Sequence, residues 1–213
     1  VDLISNRYKE VLITNLLDNE TDVFNDAIEF TEKELLNRIN VIDNLLLISR
    51  EKERIKADLS QNITEEGNYD IDLESLKLRN SSHYLNEKYR VLAEMKILYL
   101  YKCFEIKILR LLEIGFPDLS TINNFKFDFV EKQFKIKGVD MKILTGYAEF
   151  NELRLLNNYL KHSGDLKKIR KTKEFETLDR LDGLVINLFL SRIKKKVDHF
   201  YWKLAESVIE KLE

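Results

Sequence analysis

Proline is almost missing from this chain: there is one among 213 residues, with six Gly. So few breakers over such a length argue against a turn-dense all-β design and favour long helices. Cysteine is reduced to Cys103, which excludes a disulfide framework and a cysteine metal cluster. Cys103 lies in an apolar helical stretch and reads as a small buried side chain. Neither sign of charge prevails, with 35 Lys and Arg against 37 Asp and Glu and a net charge of −2. The chain as a whole therefore does not attract nucleic acid, and any such binding needs a local patch. No apolar run is long enough to span a membrane and no secretory signal is read. The expectation is a reduced, cytoplasmic protein with no membrane partner.

The familiar catalytic signatures are missing as well. There is no Gly-rich phosphate loop, no His-Glu-x-x-His pattern, no paired-Cys zinc spacing and no Gly-x-Ser-x-Gly elbow. Nucleotide triphosphatase, zinc hydrolase and serine hydrolase chemistry lose their usual carriers, and neither cofactor nor metal is expected.

What is present is a core and a great deal of charge: 44% hydrophobic and 34% charged residues, a balance that suits helices with one buried and one solvated face. Residues 3 to 17 carry Leu3, Ile4, Val11, Leu12, Leu16 and Leu17 and read as a helix. A longer helix is expected from Asp22 to Asp58, with Phe24, Ile28, Leu35, Ile39, Ile42 and Leu46 on its apolar side. The polar stretch from Ser60 to Asp72, with Gly67 and Asn68, reads as a loop, followed by a short helix from Asp72 to Leu78. Asn80, Ser81 and Ser82 offer an N-cap for a long helix ending near Ile114. Its middle, Leu92 to Tyr101, is apolar round much of its circumference and is expected at the centre of a bundle.

Glu94 and Glu105 interrupt that apolar segment. Each needs a partner there, a nearby Lys or, for a functional role, an Arg to be oriented from a facing helix. Phe125, Phe127 and Phe129 alternate as in a strand, but the continuation to Ile136 fits a helix better. A turn at Gly138-Val139-Asp140 leads to a helix from Tyr147 to His162. A last helix runs from Leu184 to Leu212, its stripe of Ile186, Phe189, Ile193, Val197, Phe200, Tyr201 and Leu204 fit for a core or a dimer interface. The expected fold class is all-α. We expect a single helical domain over residues 1–213, with an N-terminal helical hairpin, residues 1–58, packing on a core of residues 82–213.

The run Glu152-Leu153-Arg154-Leu155-Leu156-Asn157-Asn158-Tyr159-Leu160-Lys161-His162 carries the chemistry. Arg154, Asn158 and His162 are four apart, which on a helix places a cation, an amide and an imidazole on one face beside Lys161. Ser163 and Gly164 end the helix and leave His162 at its mouth. His is scarce, the others being His83 and His199. A basic run follows, with Lys167, Lys168, Arg170, Lys171 and Lys173 as candidate phosphate contacts, and Lys194 to Lys196 form a second. These groups suit phosphoester chemistry without a metal. His moves a proton near neutral pH, Arg and Lys hold phosphate charge, and in RNA the 2′-hydroxyl supplies the nucleophile.

The pattern Arg154-x-x-x-Asn158-x-x-Lys161-His162, preceded by a long apolar helix containing Tyr and Glu, resembles the HEPN superfamily (higher eukaryotes and prokaryotes nucleotide-binding domains). The resemblance covers roughly residues 82 to 213, so the chain resembles a HEPN-like helical bundle with additional N-terminal helices. The seven residues between Arg154 and His162 exceed the family's usual gap, and along a helix the two lie about 12 Å apart. The resemblance implies a metal-independent endoribonuclease that cleaves RNA by 2′-hydroxyl attack. It also implies a homodimer with a composite site, and an antitoxin or phage-defence partner protein. Residue by residue, it implies His162 as general acid–base, Arg154 as phosphate stabiliser and Asn158 as polar helper. Lys161, Lys167, Lys168, Arg170 and Lys171 stand as substrate contacts, with Glu105 in support. Two other readings compete: a non-catalytic helical module that binds a nucleotide, a nucleic acid or a partner protein, and a bundle in which Arg154, Asn158 and His162 only cap or bridge helices.

Overall fold

The structure, a computed structural model, describes residues 7–9, 11–13, 23–59, 66–119, 126–162 and 169–212. The protein is all-α, and no strand occurs among the described residues. Its principal helices are α1 (Val23–Leu59), α2 (Glu66–Gly115), α3 (Phe127–Ile136), α4 (Tyr147–His162) and α5 (Gly183–Ile209). Short 3₁₀ turns at Pro117–Leu119, Met141–Ile143 and Lys173–Phe175 join them. Of the expected helix over residues 3 to 17, residues 7–9 and 11–13 are helical and the remainder lies outside the described residues, as does Phe125. The chain divides into two compact units, one of residues 22–93 and one of residues 1–21 with 94–213.

In the 22–93 unit α1 runs against the first part of α2. Ser49 Oγ and Ser75 Oγ share a 2.8 Å hydrogen bond, and Ser82 Oγ lies 3.4 Å from Asp43 Oδ1. Later residues of one helix thus meet earlier residues of the other, so the pair is antiparallel. Ile28, Ile39 and Ser49 are buried on α1, and Leu35, Ile42 and Leu46 are half-buried between them. These steps of three and four are the spacing of a coiled-coil seam.

The stretch expected to hold a loop, a short helix and a cap is different. Helix α2 already runs at Glu66, through Gly67 and Asn68, and does not break at Asn80, Ser81 or Ser82. Each of these residues costs under about 1 kcal/mol inside a helix, and no Pro forbids continuation. Ser75 is engaged sideways by Ser49 and Glu53, and the Ser82 hydroxyl donates to Asp43 and accepts from the amide of Asn86 one turn on. Their hydroxyls are therefore spent on packing rather than on capping.

In the second unit α5 buries Ile186, Phe189, Ile193, Val197, Phe200, Tyr201 and Leu204 as one stripe, so that stripe is core. Asp182 caps it by accepting the amide of Leu184. Phe150 of α4 is fully buried at the centre of the aromatic packing. Its ring stacks on Phe200 at 5.0 Å and meets Phe127 at 5.4 Å and Tyr101 at 6.0 Å.

Two glycines set the path into α4. Gly138, at φ +82°, ends α3 with paired bonds from its own N–H to Lys135 and from Val139 to Phe134, a Schellman motif. Gly146, at φ +89°, precedes α4, and a Cβ there would meet the carbonyl oxygen of Lys196 and the Cβ of Phe200. Its bare backbone thus lets the start of α4 lie directly against α5. Tyr147 then donates to Glu131 at 2.6 Å, which ties α4 to α3.

Candidate functional site

Helix α4 ends at His162 and presents Arg154, Asn158, Lys161 and His162 along one wall of a cavity of about 360 Å³. Tyr101 and Glu105 from α2, together with Lys126, Phe127 and Asp128 at the start of α3, complete the lining, with Asn157 of α4. The apolar side of α4, Phe150, Leu153 and Leu156, is buried, which turns the polar side toward this space. The volume is at the lower end of the roughly 300–1,000 Å³ of ligand pockets.

Arg154 is held rather than free. Its Nε and Nη2 donate to Asn151 Oδ1 at 3.1 and 2.9 Å, and its Nη1 lies 3.7 Å from Asp128 Oδ1. The guanidinium sits over the Phe127 ring, 5.0 Å from its centroid. Lys161 places its ammonium 5.9 Å from the centroid of Tyr101. His162 is exposed in the last turn of α4.

Glu105 lines the same cavity as Arg154, and its own ion pair is with Lys102 at 2.9 Å. Burial pushes the Tyr101 phenol up to about 12; Arg154 draws it down, and Glu105 and Asp128 raise it further. It is therefore a neutral hydroxyl at physiological pH. Three permanent cations (Lys126, Arg154 and Lys161) share the cavity with the carboxyls of Glu105 and Asp128. An anion entering it meets preorganised donors with part of their charge already balanced.

The structure thus brings together Arg154, Asn158, Lys161, His162 and Glu105. The described members of the basic run are not among these residues. Arg170 and Lys171 are exposed and do not line the cavity, and Arg170 donates to the Leu178 carbonyl and lies 3.7 Å from Asp179. Lys167 and Lys168 lie outside the described residues.

Sequence reasoning missed Tyr101, Lys126, Phe127, Asp128 and Asn157. Asn157 is the most telling. It is 1% exposed, its Nδ2 makes one long 3.4 Å bond to Asn158 Oδ1, and its own Oδ1 is buried with no partner. Its position next to Asn158, on the edge of the apolar face, was the available signal. Among the described residues no group of three His, Cys, Asp or Glu is placed to hold a metal ion. Comparison with protein-family models, with curated proteins and with solved structures finds no match to this chain.

Proposed function

We propose that the protein is a metal-independent, HEPN-type endoribonuclease whose site is the cavity beside α4. The observation that carries this reading is the gathering of Arg154, Asn158, Lys161 and His162 on one wall of a cavity that Tyr101, a neutral phenol, also lines. The reaction needs four things: a base for the 2′-hydroxyl, charge stabilisation on the phosphorus, an acid for the leaving 5′-oxygen, and a bound strand. The 2′-oxygen attacks the adjacent phosphorus as His162 takes its proton. The new O–P bond closes a 2′,3′-cyclic phosphate as the bond to the 5′-oxygen breaks. Arg154 and Lys161 hold the charge that builds on the phosphoryl oxygens, and Asn158 donates to one of them.

One imidazole cannot be base and acid in the same step. A homodimer supplies the second, with His162 of each copy contributing to a composite site, and this also offsets the length of α4 between Arg154 and His162. The setting proposed is a toxin–antitoxin or phage-defence system, with a partner protein that restrains the enzyme. A non-catalytic nucleotide- or nucleic-acid-binding module is the second reading. It is favoured by the engagement of Arg154 with Asn151 and Asp128, which leaves less of its charge for a transition state.

The deciding experiment incubates the protein with mixed RNAs in chelator, beside His162→Ala, and records sedimentation at tens of micromolar (about the range of a weak dimer). Cleavage that resists chelator and is lost in His162→Ala is the expected result. Intact RNA bound equally by both proteins selects the binding module.

A further inference from the structure

A buried amide with an unpaired oxygen is unusual in a folded protein, because such an atom forgoes its hydrogen bond to water without replacing it. Asn157 is in this condition, and it lines the cavity that also holds Arg154 and Lys161. Elsewhere in the unit Arg192 pairs with Glu152 and Glu174, and Lys196 with Glu149, while the Tyr201 hydroxyl is the other buried side-chain group without a partner among the described residues and does not line the cavity. Among the described residues the polar contact to the Asn157 amide comes from Asn158, which is exposed and attached through a 3.4 Å bond. When Asn158 turns aside, Asn157 offers an acceptor and a donor side by side in a fixed plane.

We propose that Asn157 is a specificity-determining residue that reads the amino edge of a nucleobase, adenine above all. This rests on the cavity being a nucleotide site, as argued above. A side-chain amide pairs in two-point fashion with the adenine edge, its oxygen accepting from the 6-amino group and its NH₂ donating to the neighbouring ring nitrogen. Glu105, its side chain 13% exposed, and Asp128 add carboxylate acceptors to the same cavity. These carboxylates can accept the second amino hydrogen, whereas a keto oxygen opposite Asn157 Oδ1 sets acceptor against acceptor. Lys126, Arg154 and Lys161 remain for the attached phosphate, and the volume suits one nucleotide and not a duplex.

The test uses the full chain and three ligands. Adenosine 5′-monophosphate, purine riboside 5′-monophosphate (the same molecule without the amino group) and inosine 5′-monophosphate (the keto counterpart) are titrated calorimetrically into wild type and Asn157→Leu. Cleavage of oligonucleotides with adenosine or inosine at the scissile position is measured in parallel. Wild type should prefer the adenine nucleotide by roughly 10–100-fold, the size of a two-point base contact. Asn157→Leu, similar in shape, should erase the preference, keep the weak affinity due to phosphate, and melt higher than wild type because an unsatisfied buried group is gone. Asn157→Ser, too short to reach both edge atoms, should also lose the preference and serves if the Leu variant does not fold. Equal binding of the three nucleotides by wild type, no nucleotide binding at all, or a preference that survives in both variants overturns the proposal. Cleavage without base preference removes this inference and leaves the nuclease standing. Base-selective binding without cleavage does the reverse.

Discussion

The 22–93 unit and the unit containing residues 94–213 use the same helical alphabet to opposite ends. In the first, the seam between α1 and α2 places Ser49 and Ser75 where an apolar pair would fit. Val41, Leu45 and Ile48 of α1, and Leu73, Leu76 and Tyr84 of α2, are left exposed. In the second, Phe127, Phe134, Phe150, Phe175, Phe189 and Phe200 are buried together with aliphatic side chains that have no exposure at all. The lesson concerns where a protein can tolerate imperfection. A densely packed, aromatic core is overdetermined and can hold a cavity with an unsatisfied amide beside it. A two-helix seam has little surplus packing, and its buried hydroxyls are paired.

The sharpest way to test that contrast is to compare histidines. His162→Ala should lower RNA cleavage by about 10²–10⁴, the range for loss of general acid–base catalysis, with the helical circular dichroism signal unchanged. His83→Ala, in the 22–93 unit, should leave cleavage at the wild-type rate. Equal losses in both variants would show that chemistry is not confined to the cavity.

Packing comes next. Phe150→Ala should cost about 3–5 kcal/mol in denaturant unfolding, because the ring joins Tyr101, Phe104, Phe127 and Phe200. Ile39→Ala, on a seam with fewer fully enclosed neighbours, should cost clearly less. If the two cost the same, the units are equally well packed and the contrast fails.

Gly146→Ala should destabilise by about 1–3 kcal/mol or more, since a non-Gly residue there is strained at φ +89° and its Cβ would run into the backbone of α5. Gly67→Ala, inside α2, should be neutral or slightly stabilising in the same thermal melt.

Acid should act on the second unit. Hydrogen bonding to Arg192 holds the Glu174 carboxyl below its ordinary value of 4.5, and Lys196 does the same for Glu149. A depressed carboxyl pKa stabilises the folded state fully above the ordinary value, and that contribution is lost as pH falls through and below it. Urea midpoints followed from pH 7 to pH 3 should therefore decline, and Arg192→Ala should flatten the decline. A pH response unchanged in Arg192→Ala would remove these pairs as its cause.

The smallest expected effect is in the hairpin. Replacing Ser49 and Ser75 together by Ala should shift stability by no more than about 1 kcal/mol, because both partners of their mutual bond disappear at once and the half-buried Glu53 carboxylate, which loses the Ser75 donor, can turn to water. A loss several times larger would mean that the hydroxyl pair specifies the register of α1 on α2.

Much of this architecture is legible in the order of residues, because helical periodicity is a local property. Ile28, Leu35, Ile39, Ile42 and Leu46 announce α1, the spacing from Ile186 to Leu204 announces α5, and Tyr147 to His162 is helical over the full predicted span. Phe127 to Ile136 is a helix despite the alternating Phe residues. The residues from Glu66 to Asp72, expected in a loop, and from Asn80 to Ser82, expected as a cap, are helical instead, because Gly, Asn and Ser are only weak breakers. Whether a serine caps a helix or bonds across a seam depends on what faces it, as Ser49 faces Ser75.

The site divides along the same line. One helix face is a matter of arithmetic on 3.6 residues per turn, so Arg154, Asn158, Lys161 and His162 could be placed side by side from their spacing alone. Nothing in the chain order says that Tyr101 and Lys126 meet that face, that Asp128 approaches Arg154, or that Arg170 turns away to Asp179. Those outcomes depend on Gly146 letting α4 press on α5 and on Phe150 drawing α2, α3 and α5 round it. By itself the sequence determined which residues share a helix and a face, since that follows from backbone geometry within a few turns. Only the tertiary structure decided which faces meet, which charges are neutralised and which amide is left without a partner, because each depends on side chains brought together from distant parts of the chain.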